Sequence, residues 1–145
     1  MASLKLFCDR ISHPSRAALL LLRNTGLAHQ EVKVALFRGE HMKTPELPFK
    51  KLPVLVDSDA GVTVAESTSI LRYVGQLEAG MGWYGGKTLK EKTKIDEFLD
   101  NWQSSLHPNT VKLLQNQLMY KVRIFVTLIP GSVPPFKGTE TKDNF

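Results

Sequence analysis

Four short stretches of this chain carry residue types that could do chemistry: Ser12, His41, Lys51-Leu52-Pro53 and Glu66-Ser67. Ser12-His13-Pro14 reads as a helix start, because proline tolerates the first helical turn and a preceding serine can cap free amides. At such a point the backbone N–H groups and the helix dipole favour a negative group, so an anion or a thiolate held beside Ser12 would be stabilised. The same serine also reads as an ordinary N-cap. Pro53 cannot donate to a strand ladder and belongs at a strand start, an edge or a cis turn. A cis bond there would leave the Leu52 amide free to pair with an extended peptide, whereas a trans proline would simply open the strand. At Glu66-Ser67 the amide and hydroxyl of the serine could receive a carboxylate and the glutamate an ammonium group, together an α-amino-acid head. Helix capping uses the same two residue types. His41 could bind a carboxylate when protonated or hydrogen-bond within a loop.

The elements that must position these residues are legible in the pattern. Leu4 to Cys8 is a short apolar run suited to a buried strand. A helix follows from Ser12 to about Asn24, with Gly26 as its stop. Val32, Val34 and Leu36 alternate in a second strand predicted over Glu31 to Leu36. Pro53 to Asp57 and Gly61 to Ala65 read as an antiparallel hairpin turning through Asp57-Ser58-Asp59-Ala60. Glu66 to about Leu77 then reads as a helix with Ile70, Leu71, Val74 and Leu77 on one face. The order β-α-β-β-β-α predicts an α/β domain with a small mixed sheet and helices packed on it.

Gly80 to Gly86 has four glycines and no periodicity, as a connection should. Beyond it Leu89, Phe98, Leu99, Trp102 and Leu106 follow helical spacing, and Val111, Leu114, Leu118, Val122 and Phe125 do so again, with a break expected near His107-Pro108. Two such helices cannot close a bundle by themselves and need cover from the first domain, another subunit or further helices. The expected organisation is a first domain over residues 1–79, a linker over 80–88, a partial all-helical domain over 89–129 and a flexible tail over 130–145.

Composition excludes several classes. With 145 residues, 42% of them hydrophobic and 23% charged, the chain sits with folded globular proteins rather than disordered or membrane ones. Its net charge of +5 is spread along the sequence, with Lys90, Lys92 and Lys94 interleaved among Glu91, Asp96 and Glu97. A solvated surface with a mild preference for small anions is expected, without a nucleic-acid partner. The single cysteine, Cys8, forms no internal disulfide and no CxxC pair or zinc cluster, which fits a reducing compartment. His13, His29 and His107 have no companions suggesting a metal site. No leader or membrane-spanning run is evident, and the cytoplasm is the expected location.

Taken together, KLFCDRISHPSRAALLLLRNTGL, VALFRGEHM, PFKKLPVLVDSD and VAESTSILRYV resemble, in order and spacing, glutathione transferases of the theta class. KTKIDEFLDNWQ resembles the opening helix of that family's second domain. The resemblance implies a thioredoxin-like N-terminal domain with a glutathione site. In that site Ser12 would hydrogen-bond the glutathione sulfur, with Ser15 as the weaker candidate. Leu52 would pair with the cysteinyl part, Pro53 being cis. Glu66 and Ser67 would hold the γ-glutamyl end, and His41, with Lys51, the glycine carboxylate. Glutathione would serve as co-substrate, without a metal, small hydrophobic electrophiles as its partners in reaction, and a homodimer as the assembly. The implied activity is detoxifying: conjugation of the glutathione thiolate to alkyl or aryl halides, or reduction of organic hydroperoxides. The alternatives are a non-catalytic glutathione-binding or protein-interaction module and, more remotely, a thioredoxin-like disulfide exchanger, disfavoured because position 12 is serine and Cys8 falls within a strand.

Overall fold

The computed structural model describes residues 3–77, 82–84, 88–114 and 116. The chain divides into two compact units, residues 1–103 and 104–145. In the first, β1 (Leu4–Cys8) leads to α1 (His13–Thr25), β2 (His29–Lys33), two short 3-10 turns (Leu36–Arg38 and Glu40–Met42), β3 (Val54–Asp57), β4 (Val62–Ala65), α2 (Ser67–Gln76) and α3 (Leu89–Asn101). The sheet order is β2-β1-β3-β4. β1 runs parallel to β2 and antiparallel to β3, and β3 is antiparallel to β4. This is the expected mixed sheet of a thioredoxin-like domain.

Alternation along β1 explains the layers. Leu4, Leu6 and Cys8 point to one face, where Ala18, Leu19 and Leu22 of α1 and Ile70 and Val74 of α2 pack with Leu55. Phe7 points to the other face and meets Val34, Leu47 and Val54. Leu6, Leu22, Leu47 and Leu55 are fully buried, and each such side chain contributes about 1.5–3 kcal/mol relative to exposure. Gly26 ends α1 in the left-handed conformation, at φ 70°, which a residue without Cβ adopts at no steric cost.

Two expected boundaries move. β2 covers His29–Lys33 rather than Glu31 to Leu36. Carboxylates take the backbone donors that would have extended it: Glu40 accepts from Ala35 N at 2.8 Å and Asp9 accepts from Leu36 N at 2.9 Å. Val34 still reaches the core, held by its N–H to the Cys8 carbonyl at 3.0 Å.

The expected break near Pro108 is a widening. A π-helical segment, Trp102–Leu106, follows α3 and leads into α4 (His107–Leu114). Proline has no N–H to offer the carbonyl one turn earlier and its ring crowds that carbonyl, so the turn opens. Within residues 104–145 the described part is α4, the turn before it and residue 116, and Thr110 Oγ1 donates to the Leu106 carbonyl at 2.8 Å. Leu118, Val122, Phe125 and the tail over 130–145 lie outside the described residues. Leu99 is buried, but Leu89 and Phe98 on α3, and Leu113 on α4, are largely exposed.

Candidate active site at one edge of the sheet

Register places the chemistry-bearing residues. Phe7 of β1 pairs with Val54 of β3, and Val54 with Ala65 of β4. The C-terminal end of β1, the N-terminal end of β3 and the C-terminal end of β4 therefore share one edge of the sheet. Ser12 follows the first, Leu52-Pro53 precedes the second, and Glu66-Ser67 follows the third. Cys8 pairs with Lys33, so the loop over residues 34–53, which carries His41 and Lys51, leaves and rejoins the sheet at that same edge.

Ser12 sits where the chain turns into α1. Asp9 builds the turn: its carbonyl accepts from Ser12 N at 3.0 Å, while Oδ1 accepts from Ile11 N at 3.2 Å and Oδ2 from Leu36 N at 2.9 Å. Ser12 Oγ accepts from Ser15 N at 3.4 Å, a long capping bond. Capping engages a lone pair of the hydroxyl and leaves its proton to donate. The N-cap reading and the ligand reading are thus compatible in one side chain. One turn into the helix, Ser15 Oγ is buried with no partner among the described residues.

Glu66 departs from ordinary capping. It occupies the N-cap position of α2 with φ 69° and ψ 127°, and its side chain makes no capping bond. A non-glycine residue at positive φ is uncommon and costs about 1–3 kcal/mol, and such positions concentrate at functional sites. The carboxylate instead accepts from Gln103 Nε2 at 3.0 Å. Ser67, the first helical residue, is buried, and the first-turn N–H groups of a helix have no intrahelical acceptor.

The remaining expected residues spread along the loop. The Leu52–Pro53 peptide is cis; Leu52 is half-buried and Pro53 buried. Lys51 is exposed, whereas its neighbour Lys50, at φ 52°, donates through Nζ to the Thr44 carbonyl at 3.1 Å. His41 lies in the second 3-10 turn, with Nδ1 buried and unpartnered among the described residues.

Two other polar clusters stand in the same compact unit. A groove of about 380 Å³ is lined by Cys8, Asp9, Arg10, Glu31 and Lys33, none of them a residue expected in the site. Arg10 spans it with two 2.8 Å bonds to Glu31. Burial, reinforced by the charge of Glu31, pushes the Cys8 thiol up to about 11, so this cysteine stays protonated. Behind α2, Arg72 Nε donates to Asp96 Oδ1 at 2.7 Å and Tyr84 OH to the same atom at 2.8 Å, and Arg72 also pairs with Asp100. Among the described residues no group of three His, Cys, Asp or Glu side chains could hold a metal ion, and no helix is long and apolar enough to cross a membrane.

Gln103 and Tyr84 are the residues that sequence reasoning missed. Gln103 lies 37 positions from Glu66, beyond any local spacing rule. Tyr84 falls in the glycine-rich stretch expected to be plain linker, yet it is 8% exposed and packs against Gly75.

A thioredoxin-like domain that gathers a capping serine, a strand-opening proline and a strained Glu-Ser pair at one sheet edge defines the class. Residues 6–82 match the family described as glutathione S-transferase, N-terminal domain, and the chain belongs to that family. Glutathione S-transferase F10 of Arabidopsis thaliana is 34% identical over 106 residues, covering 70% of this chain and 48% of that protein. Glutathione S-transferase theta-1 of Rattus norvegicus is 28% identical over 123 residues, covering 82% and 50%. The apo form of human glutathione S-transferase T1-1 superimposes with a TM-score of 0.74 at 26% identity, over 81% of this chain and 49% of that one. The chain is thus theta-like, and it spans about half the length of these relatives.

Proposed function

We propose that the edge built by Ser12, Leu52-Pro53 and Glu66-Ser67 binds glutathione, and that the protein joins its thiolate to small electrophiles such as alkyl or aryl halides or uses it to reduce organic hydroperoxides. The observation that carries this reading is the convergence of those segments at one end of the sheet, with two helix N-termini among them. The Leu52 backbone ahead of its cis peptide suits the cysteinyl part, Glu66 and the Ser67 amide suit an ammonium and a carboxylate, and the free hydroxyl proton of Ser12 suits the sulfur. His41, with Lys51, takes the glycine carboxylate.

A free thiol with a pKa of about 8.5 is only a few per cent ionised at neutral pH, and the thiolate is the nucleophile. A hydrogen bond from Ser12 to the charged sulfur, worth about 1.5–3 kcal/mol, and the α1 dipole, worth up to about 1 kcal/mol, favour the thiolate. In conjugation to a halide, the sulfur lone pair forms the new S–C bond as the C–halogen bond breaks and halide leaves. On this reading residues 1–79 form the glutathione domain, 80–88 the connection and 89–129 the opening of a helical domain, in a cytoplasmic homodimer.

Calorimetric titration of the full chain with glutathione, followed by turnover with a panel of halides and hydroperoxides, tests the proposal. Saturable binding with turnover is the expected result. Binding without turnover would favour a non-catalytic module, and no binding would refute the glutathione site.

A further inference from the structure

We propose that Gln103 is a positioning residue, one that holds the Glu66 carboxylate so that it receives a primary ammonium group of the ligand. The inference rests on the glutathione reading above, and it concerns a side chain at the end of the KTKIDEFLDNWQ stretch, 37 positions from Glu66.

Three observations carry it. Gln103 Nε2 donates to Glu66 Oε2 at 3.0 Å, and among the described residues this is the bond that anchors the carboxylate. The glutamate it anchors stands on a positive-φ backbone and spends nothing on capping its own helix. Gln103 itself belongs to the π-helical segment Trp102–Leu106, and single π turns within helices are frequently found at functional sites. Both residues lie within the compact unit of residues 1–103.

The chemistry of the donor decides what the pair can recognise. An amide orients a carboxylate by a directed hydrogen bond but carries no charge, so the glutamate keeps its full negative charge for another partner. A guanidinium in the same place would neutralise it through a bidentate pair. The arginine near this region, Arg72, is engaged by Asp96 and Asp100. Glu66 is therefore fixed in direction by an uncharged donor, with Oε1 unpartnered among the described residues. A ligand ammonium fits that state, and a ligand lacking it loses the interaction.

The test uses the full chain with Gln103→Ala, Glu66→Gln and both together. Glutathione is titrated beside its deaminated analogue, in which hydrogen replaces the ammonium group. Gln103→Ala is expected to weaken glutathione about five- to tenfold, the scale of an ordinary hydrogen bond, since this one is exposed to water, with the loss in KM rather than kcat. The analogue's affinity is expected to stay put, and Gln103→Ala is expected to add nothing in the Glu66→Gln background. Gln103→Glu, of the same shape but repelling the carboxylate, is expected to lose more than the alanine. Equal losses for both ligands, or additive losses in the double variant, overturn the proposal. A wild-type chain that binds neither ligand removes the glutathione reading, and the pair is then judged by NMR of the free protein. Gln103 side-chain amide resonances that shift on Glu66→Gln support the positioning pair, and unmoved resonances overturn it.

Discussion

Replacing Ser12 by alanine separates the two roles its geometry allows. As a cap, Ser12 Oγ accepts from Ser15 N at 3.4 Å, a long bond, so its loss should cost about 0.5–1 kcal/mol of stability, the low end for cap removal. As a thiolate partner it should supply about 1.5–3 kcal/mol, which corresponds to a rise of about 1–2 in the pKa of bound glutathione when the hydroxyl is removed. The α1 dipole survives the substitution, so some activation remains. Conjugation rates measured from pH 6 to 10 at saturating glutathione should therefore fall about 10- to 100-fold near the acid end. They should converge on wild type above the new pKa, while glutathione affinity changes little. A profile displaced only in amplitude, with the same inflection as wild type, would refute the thiolate role and leave Ser12 a cap.

Three further outcomes follow from the packing and the charges. A methyl group on Gly75 would lie 2.2 Å from Tyr84 Cβ; Gly75→Ala should destabilise by about 1–3 kcal/mol, the cost of overpacking, despite alanine's better helix propensity, and chemical denaturation will measure it. Tyr73 OH at 2.7 Å, then the Ala60 and Asp59 amides, hold the Asp57 carboxyl below its ordinary range. A lowered folded-state pKa stabilises above the unfolded value, about 3.9, and that stabilisation disappears as pH falls through the folded value. The denaturation midpoints of wild type and Asp57→Asn should therefore differ at pH 6 and approach one another below pH 4, and a constant gap would contradict the linkage. Cys8 is 1% exposed with its thiol pushed up to about 11, so a thiol-specific reagent at pH 8 should label it only in denaturant, as mass spectrometry would show; fast labelling of the native chain would contradict its burial.

The sequence pattern revealed more of the fold than of the site's supports, for a physical reason. Alternation in Leu4 to Cys8 and in Val54 and Leu55, and the apolar pair Ile70 and Val74, are local consequences of which face meets the core, so strands and helices were readable with boundaries shifted by a few residues. β2 moved because two carboxylates, Asp9 and Glu40, compete for its backbone donors, and hydrophobic periodicity is blind to that competition. Pro108 signals an irregularity, but the helix continues through it and the turn widens upstream, over Trp102–Leu106; whether a proline breaks a helix or widens a turn depends on how the preceding carbonyls are accommodated. Tyr84 was hidden by its glycine neighbours: composition marks Gly80 to Gly86 as a linker, and only the gap at Gly75 shows that an aromatic ring is anchored there.

Ser12, Leu52-Pro53 and Glu66-Ser67 share more than an edge: each stands where the backbone leaves a strand or enters one. At those points N–H groups lack ladder or helix partners, and a ligand can satisfy them only if the chain arrives in a fixed direction. For Ser12 the direction comes from Asp9, whose carbonyl and carboxylate bind three backbone donors. For Glu66 it comes from Gln103, in the π-helical segment that follows α3. The first support lies three residues away and is visible as an ordinary turn signal; the second is 37 residues away and depends on α3 folding back beside α2, through Arg72, Asp96 and Tyr84. On the proposed glutathione reading, recognition at the γ-glutamyl end should accordingly be the part of the site most sensitive to the docking of α3, and Asp96→Ala should weaken glutathione without moving the thiol pKa that Ser12 is proposed to set.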